Sequence, residues 1–202
     1  MHVLTVDQRL LRTSRLPTLS AEEGTITGRE AAVVVAAGAI AALATGLLDL
    51  GLRVPGHAIL RSVLPMALGL ALVPRQMAGV VMGLSALLVT AGLHGAGIGG
   101  AGPGATASLL LTGPCLDLAR LAIRDEHRIY HALILAGVAA NVGALAVRGL
   151  TKVLGLDLSW GRPLAGWWLE AVGTYVLCGA AAGLLAAACF FRREGVAGEP
   201  AS

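Results

Sequence analysis

The sequence predicts an all-α integral membrane protein, a bundle of six transmembrane helices with both termini on the cytoplasmic side. Three observations predict it. Of the 202 residues, 56% are hydrophobic and only 13% are charged, against about 45–50% and about 25% in soluble domains. Apolar segments recur six times, each near the roughly 17–25 residues that a helix needs to cross the hydrocarbon core. Arginine and lysine also alternate in density from one connection to the next, as topology determinants do.

Residues 1–30 carry Arg9, Arg12, Arg15 and Arg29 among Asp7, Glu22, Glu23 and Glu30. They lack the apolar core of a cleavable signal peptide and read as a polar cytoplasmic tail. The transmembrane domain is expected over 31–193, with apolar segments at 31–52, 57–73, 77–93, 105–123, 131–150 and 164–191, followed by a short cytoplasmic tail over 194–202. The first segment holds the small-residue stripe Gly38, Ala42, Gly46. Pro55, Pro65 and Pro74 bound or interrupt the second and third, which are short, so a re-entrant pair is the alternative to two full crossings there. Pro114 predicts a kink in the fourth. The fifth and sixth carry the stripes Ala136, Ala140, Ala144 and Gly179, Gly183, Ala187. With 28 glycines and 3% aromatic residues, the helices are expected to meet backbone to backbone through such stripes, chiefly inside one chain.

Six crossings place both ends on one side, and the basic residues agree. The tail, the turn at 74–76, the loop at 120–130 and the C-terminus carry Arg9, Arg12, Arg15, Arg29, Arg75, Arg120, Arg124, Arg128, Arg192 and Arg193, while the opposite connections hold only Arg53, Lys152 and Arg162. The positive-inside rule then sets N-in and C-in across a cell (inner, cytoplasmic) membrane, with Trp160, Trp167 and Trp168 at the outer interface. The net charge of +3 is topological and gives no nucleic-acid footprint. Cys115, Cys178 and Cys189 fall inside apolar stretches without metal-ligand spacing, and no cofactor or metal site is indicated.

Ionisable groups at membrane depth are costly and mark function when they face the bundle interior. Counting along the segments places Asp49, His57, Arg61, His94, Arg148 and Glu170 in the outer half, with Asn141 at mid-depth. A cavity there suits a small polar or zwitterionic solute, with Arg61 or Arg148 holding an anionic group and Glu170 or Asp49 a cationic one. The alternative is that these side chains pair with one another or snorkel to the headgroups, and that Asn141 bonds to a neighbouring helix. The glycine-rich loop 94–104 precedes the fourth segment and allows close backbone approach to a ligand. It lacks the Lys-Ser/Thr ending of a phosphate-binding loop. On the inner half, Asp117 is expected to pair with Arg120 or Arg124, three and seven residues on.

The architecture is similar to that of the substrate-binding S components of energy-coupling factor transporters. The stretch Gly102-Pro103-Gly104-Ala105-Thr106, continuing through Leu110-Leu111-Thr112-Gly113-Pro114-Cys115-Leu116-Asp117, resembles that group's Gly-Pro, small-residue helix ending in Asp. The stripe Gly38, Ala42, Gly46 resembles the Ala-xxx-Ala motif by which the family's first helix meets its transmembrane partner. The resemblance implies solute capture from outside, such as a vitamin or precursor, and coupling to a transmembrane scaffold and two cytoplasmic ATPases. Gly38, Ala42, Gly46, Asp117 and Arg120 would then contact that partner, and the chain itself would hydrolyse nothing. The extension 1–30 departs from the compact family pattern. Met1-His2 is not followed by the motif of the metal-transporting branch, so no metal site is carried over.

Two other classes compete with solute uptake. Gly83-Leu84-Ser85-Ala86 touches the serine motif of intramembrane proteases, but its final Gly is absent and the last segment contains no His base. A lipid-modifying transferase leaves no such trace either way. A non-catalytic assembly subunit explains the small-residue stripes equally well and the outer concentration of polar groups less well.

Overall fold

The computed structural model of the chain describes residues 26–48, 55–98, 101–123, 128–155 and 168–191. These form α1 (Gly28–Leu47), α2 (Ala58–Leu72), α3 (Ala78–Gly95), α4 (Pro103–Ala122), α5 (Ile129–Val153) and α6 (Trp168–Phe190), with no strand among the described residues. Asp49, Arg53, Arg124, the tails and the 156–167 connection with Trp160, Arg162 and Trp167 lie outside the described residues. Four helices, α1, α3, α5 and α6, are long and apolar enough to cross a membrane, as befits a multi-pass membrane protein. α2 has 15 residues, about 22 Å at 1.5 Å per residue, against roughly 30 Å of hydrocarbon. α4 has 20 residues and runs unbroken through Pro114, but it carries Asp117 and Arg120 and falls outside the four.

Contacts between glycine backbones set the direction of each helix. Gly79 meets Gly113 and Gly83 meets Leu110, so α3 and α4 are antiparallel; Gly137 meets Gly179 and Gly183 meets Leu133, so α5 and α6 are too. α1 runs parallel to α3, with Gly38 against Met82 and Ser85 and Gly46 near Leu93. The helices therefore alternate up and down. The end where α1 starts and α6 finishes is called the base below, and the opposite end the rim.

The close contacts depend on the absence of side chains. A Cβ on Gly113 would overlap the carbonyl oxygen of Gly79, and one on Gly179 would come within 2.6 Å of the Gly137 oxygen. Small residues at these crossings let dispersion contacts and main-chain dipoles do what large apolar side chains do in a soluble core. The stripe Gly38, Ala42, Gly46 is thereby occupied by α3 of the same chain: Ala42 is 1% exposed, and a Cβ on Gly38 would overlap Met82 and Ser85.

α2 touches every other helix and carries Ile59, Ser62, Val63, Met66 and Ala67 into the core, each at most 1% exposed. Its central position explains its length. A helix flanked on most sides by protein can end inside the bundle, because its terminal backbone groups find protein partners where lipid offers none.

The base is closed by polar contacts between helices. Thr27 caps α1 in a reciprocal box with Glu30: the Thr27 amide donates to Glu30 Oε2 at 2.8 Å and the Glu30 amide to Thr27 Oγ1 at 3.4 Å. Glu30 also pairs with Arg75 in the α2–α3 turn at 3.1 Å. The N-cap of α3 is Met77, held at φ 65°, and its side chain makes no capping bond. Asp117 of α4 takes that role: its two carboxylate oxygens accept the amides of Gly79 and Val80, each at 2.9 Å. These are the second and third helical residues, the N–H groups an N-cap side chain normally satisfies. Of the two partners expected for Asp117, Arg124 lies outside the described residues, and Arg120 makes no hydrogen bond to it, the carboxylate being committed to α3 instead. The orphan amides of α3 lie within direct reach of the carboxylate, and an arginine three residues on cannot compete with two aligned donors on an electropositive helix end.

Candidate binding recess

The rim is organised around the first turn of α2. Asn141 is the central residue of α5, twelve residues from either end, and is 1% exposed. Its amide nitrogen donates to the carbonyls of Gly56 at 3.2 Å and Tyr175 at 2.7 Å. Cys178 Sγ approaches the Pro55 carbonyl at 3.9 Å. Gly56 takes φ +87°, and an added Cβ would meet the Tyr175 ring at 3.0 Å and Asn141 Nδ2 at 3.1 Å. Only glycine both adopts this backbone readily and fits the space. The Pro55–His57 turn is therefore wedged between α5 and α6 at the level of the middle of α5.

The rim itself stands higher. Arg148 lies seven residues beyond Asn141 on α5, about 10 Å further along the helix, and its aliphatic stem packs on Gly104 at the start of α4, where an added Cβ would lie 3.4 Å from Arg148 Cδ. The N-terminus of α2 is consequently recessed below the ends of α4 and α5. No side chain caps it, so the positive end of its helix dipole is directed toward the rim.

His57 and Arg61 occupy the floor of this recess. Arg61 Nη2 donates to His57 Nε2 at 3.2 Å. Arg61 Nη1 donates to the Leu48 carbonyl at the end of α1, while its Nε is buried without a hydrogen-bond partner. One arginine thus links α1 to α2 through two of its five N–H donors.

The structure brings His57, Arg61 and Asn141 together around the α2 entry turn and puts Arg148 at the rim above. It places Glu170 on the exposed first turn of α6. His94 is exposed on the last turn of α3, with Nδ1 donating to the Thr90 carbonyl at 3.0 Å. His57 stands at the start of its helix, where sequence counting puts it, but that start lies level with the middle of α5 and not with its end. Gly56 and Tyr175 were not anticipated. A Pro-Gly pair preceding a short apolar segment is the one signal that pointed to a turn there. No group of three or more His, Cys, Asp or Glu able to hold a metal occurs among the described residues.

No family model matches the chain, and no curated protein or solved structure matches it significantly.

Proposed function

We propose that the chain is a membrane-embedded subunit that binds a small polar solute at its rim for uptake. In this reading all six helices belong to the membrane domain, with the base cytoplasmic and the rim outside, as the arginine distribution favours. The observation that carries the proposal is the recessed N-terminus of α2. Non-helical backbone at membrane depth is tolerated where it is enclosed by protein or lines a polar cavity, and interrupted helices in transporters direct such termini at anionic groups of the substrate.

The chemistry follows from the floor. The α2 dipole and the Arg61 guanidinium favour a carboxylate or phosphate on the solute, with Arg148 above as a second cation. Glu170, and Asp49 by its place in the sequence, supply the complementary charge for a zwitterion. A vitamin or precursor of this kind fits the resemblance to energy-coupling factor S components, and coupling to a transmembrane scaffold and ATPases is what that resemblance implies.

A second reading has its own observation. Both donors of Asn141 and one of Arg61 are committed to backbone carbonyls, as in an assembly subunit whose polar groups only hold helices in place.

A thermal-shift screen of the detergent-purified chain against anionic, zwitterionic and neutral small metabolites separates the two. A ligand at 100 times its Kd stabilises the folded state by about 2.7 kcal/mol. Uptake predicts a rise in Tm confined to anionic or zwitterionic compounds and lost in Arg61→Met. No shift across the panel, with Arg61→Met markedly less stable than wild type, favours the assembly subunit.

A further inference from the structure

The base contains a charge that neither the fold nor the rim site uses. Arg120, near the end of α4, is 5% exposed, and all three of its guanidinium nitrogens are buried without a hydrogen-bond partner. The carboxylate nearest along its own helix, Asp117, is committed to the amides of α3. Arg75, in the adjacent turn, is paired with Glu30. Asp117 attracts Arg120 through space, but burying a guanidinium whose own N–H donors are unmatched still costs free energy, and it cannot shed its proton to escape that cost.

Arg120 lines a small cavity of about 10 Å³ with Leu70 of α2, Leu116 of α4, Leu133 of α5 and Phe191 after α6. That volume admits one water-sized group. Its remaining walls are apolar, so nothing in them would solvate a free ion entering whole. The fit is to a single charged oxygen whose parent group stays outside. Ile123 and Ile129, also in the lining, lie just past the end of α4 and at the start of α5, so the cavity sits at helix-end depth, where lipid phosphates lie. Basic pockets between transmembrane helices at this depth hold lipid headgroups, and Arg presents donors matched to phosphate.

We propose that Arg120 forms an anion site at the base that takes one phosphate oxygen, from an anionic lipid headgroup or from free phosphate. The site is separate from the rim recess and does not depend on its function.

The test uses the full chain, delipidated in a neutral maltoside detergent, with Tm followed against phosphatidylglycerol, phosphatidylcholine and inorganic phosphate at constant ionic strength. A saturable rise of several degrees with phosphatidylglycerol, larger than with phosphatidylcholine, assigns the headgroup; a rise with inorganic phosphate assigns the free anion. In either case Arg120→Met loses the response and, without ligand, melts at or above the wild-type temperature, because it removes a buried group with unmade hydrogen bonds. No wild-type response to any of the three overturns the proposal, as does an undiminished response in Arg120→Met. A response that is absent in wild type and gained in Asp125→Asn/Glu126→Gln also overturns it, by showing that the chain's own carboxylates fill the site. Should Arg120→Met fail to fold, native mass spectrometry of wild type decides: one retained phosphatidylglycerol or phosphate per chain supports the site, and none overturns it.

Discussion

At the base, Glu30 and Asp117 direct their carboxylates into bonds between helices, closing the α2–α3 turn from two sides. At the rim, Arg61 and Asn141 do the same for the α2 entry turn, but the groups above it, Arg148 and Glu170, stand around a step in the bundle where one helix ends early. A side chain satisfying backbone groups of another element, Asp117 at the base and Asn141 at the rim, therefore fixes the start of α3 at one end and the α2 entry turn at the other. The difference lies in helix length. α3 reaches its partners' full height, whereas α2 has 15 residues and its first turn is fixed at the level of the middle of α5.

The largest test of this contrast bears on the glycine crossings that hold both ends in register. Gly113→Val places a branched side chain into the Gly79 carbonyl. It should cost about 4 kcal/mol, at the upper end for overpacking, and leave little folded protein by size-exclusion chromatography. Next is Asp117→Ala, which strips the α3 amides of their acceptor and should lower stability by about 2 kcal/mol, typical for hydrogen bonds to a charged group. Asp117→Asn should recover little, since its amide nitrogen would face one of the two N–H donors. Near-complete recovery in a denaturant titration would mean that shape, and not the pair of acceptor oxygens, holds the base.

Asn141→Ala should cost about 1 kcal/mol, in line with hydrogen bonds measured inside membrane bundles. Its sharper effect should be on ligand affinity at the rim, because the height of the α2 turn depends on it; equal affinity in wild type and variant would detach the recess from binding. The smallest effect is a gain. Met77 is held at φ 65°, and Met77→Gly relieves a left-handed strain of roughly 1–2 kcal/mol, so it should raise Tm slightly without altering the rim.

Much of this architecture could be read from hydropathy. The segment expected at 57–73 is α2 at Ala58–Leu72, that at 77–93 is α3 at Ala78–Gly95, and that at 131–150 is α5 at Ile129–Val153. A long apolar run flanked by prolines, glycines and charges has little choice but to be helical in lipid. Relative depth was not legible in the same way. Counting from segment ends assumes that all helices reach the same plane, which puts the mouth of α2 with His57 level with the outer ends of its neighbours when it lies near the middle of α5. The partner of Asp117 was missed for a related reason: spacing along a helix finds Arg120 but cannot find amides presented by another helix. The small-residue stripes were legible as contact faces, yet only the structure shows that Gly38, Ala42 and Gly46 meet α3 of the same chain.

The wedged α2 turn also bears on how the chain is made. Gly56 is bonded to Asn141, 85 residues later, and packs on Tyr175 further still, so α2 cannot reach its final seat until most of the polypeptide has left the ribosome. A 15-residue helix is also a weak membrane anchor by itself. Its entry turn finds its partners only when the last two helices arrive.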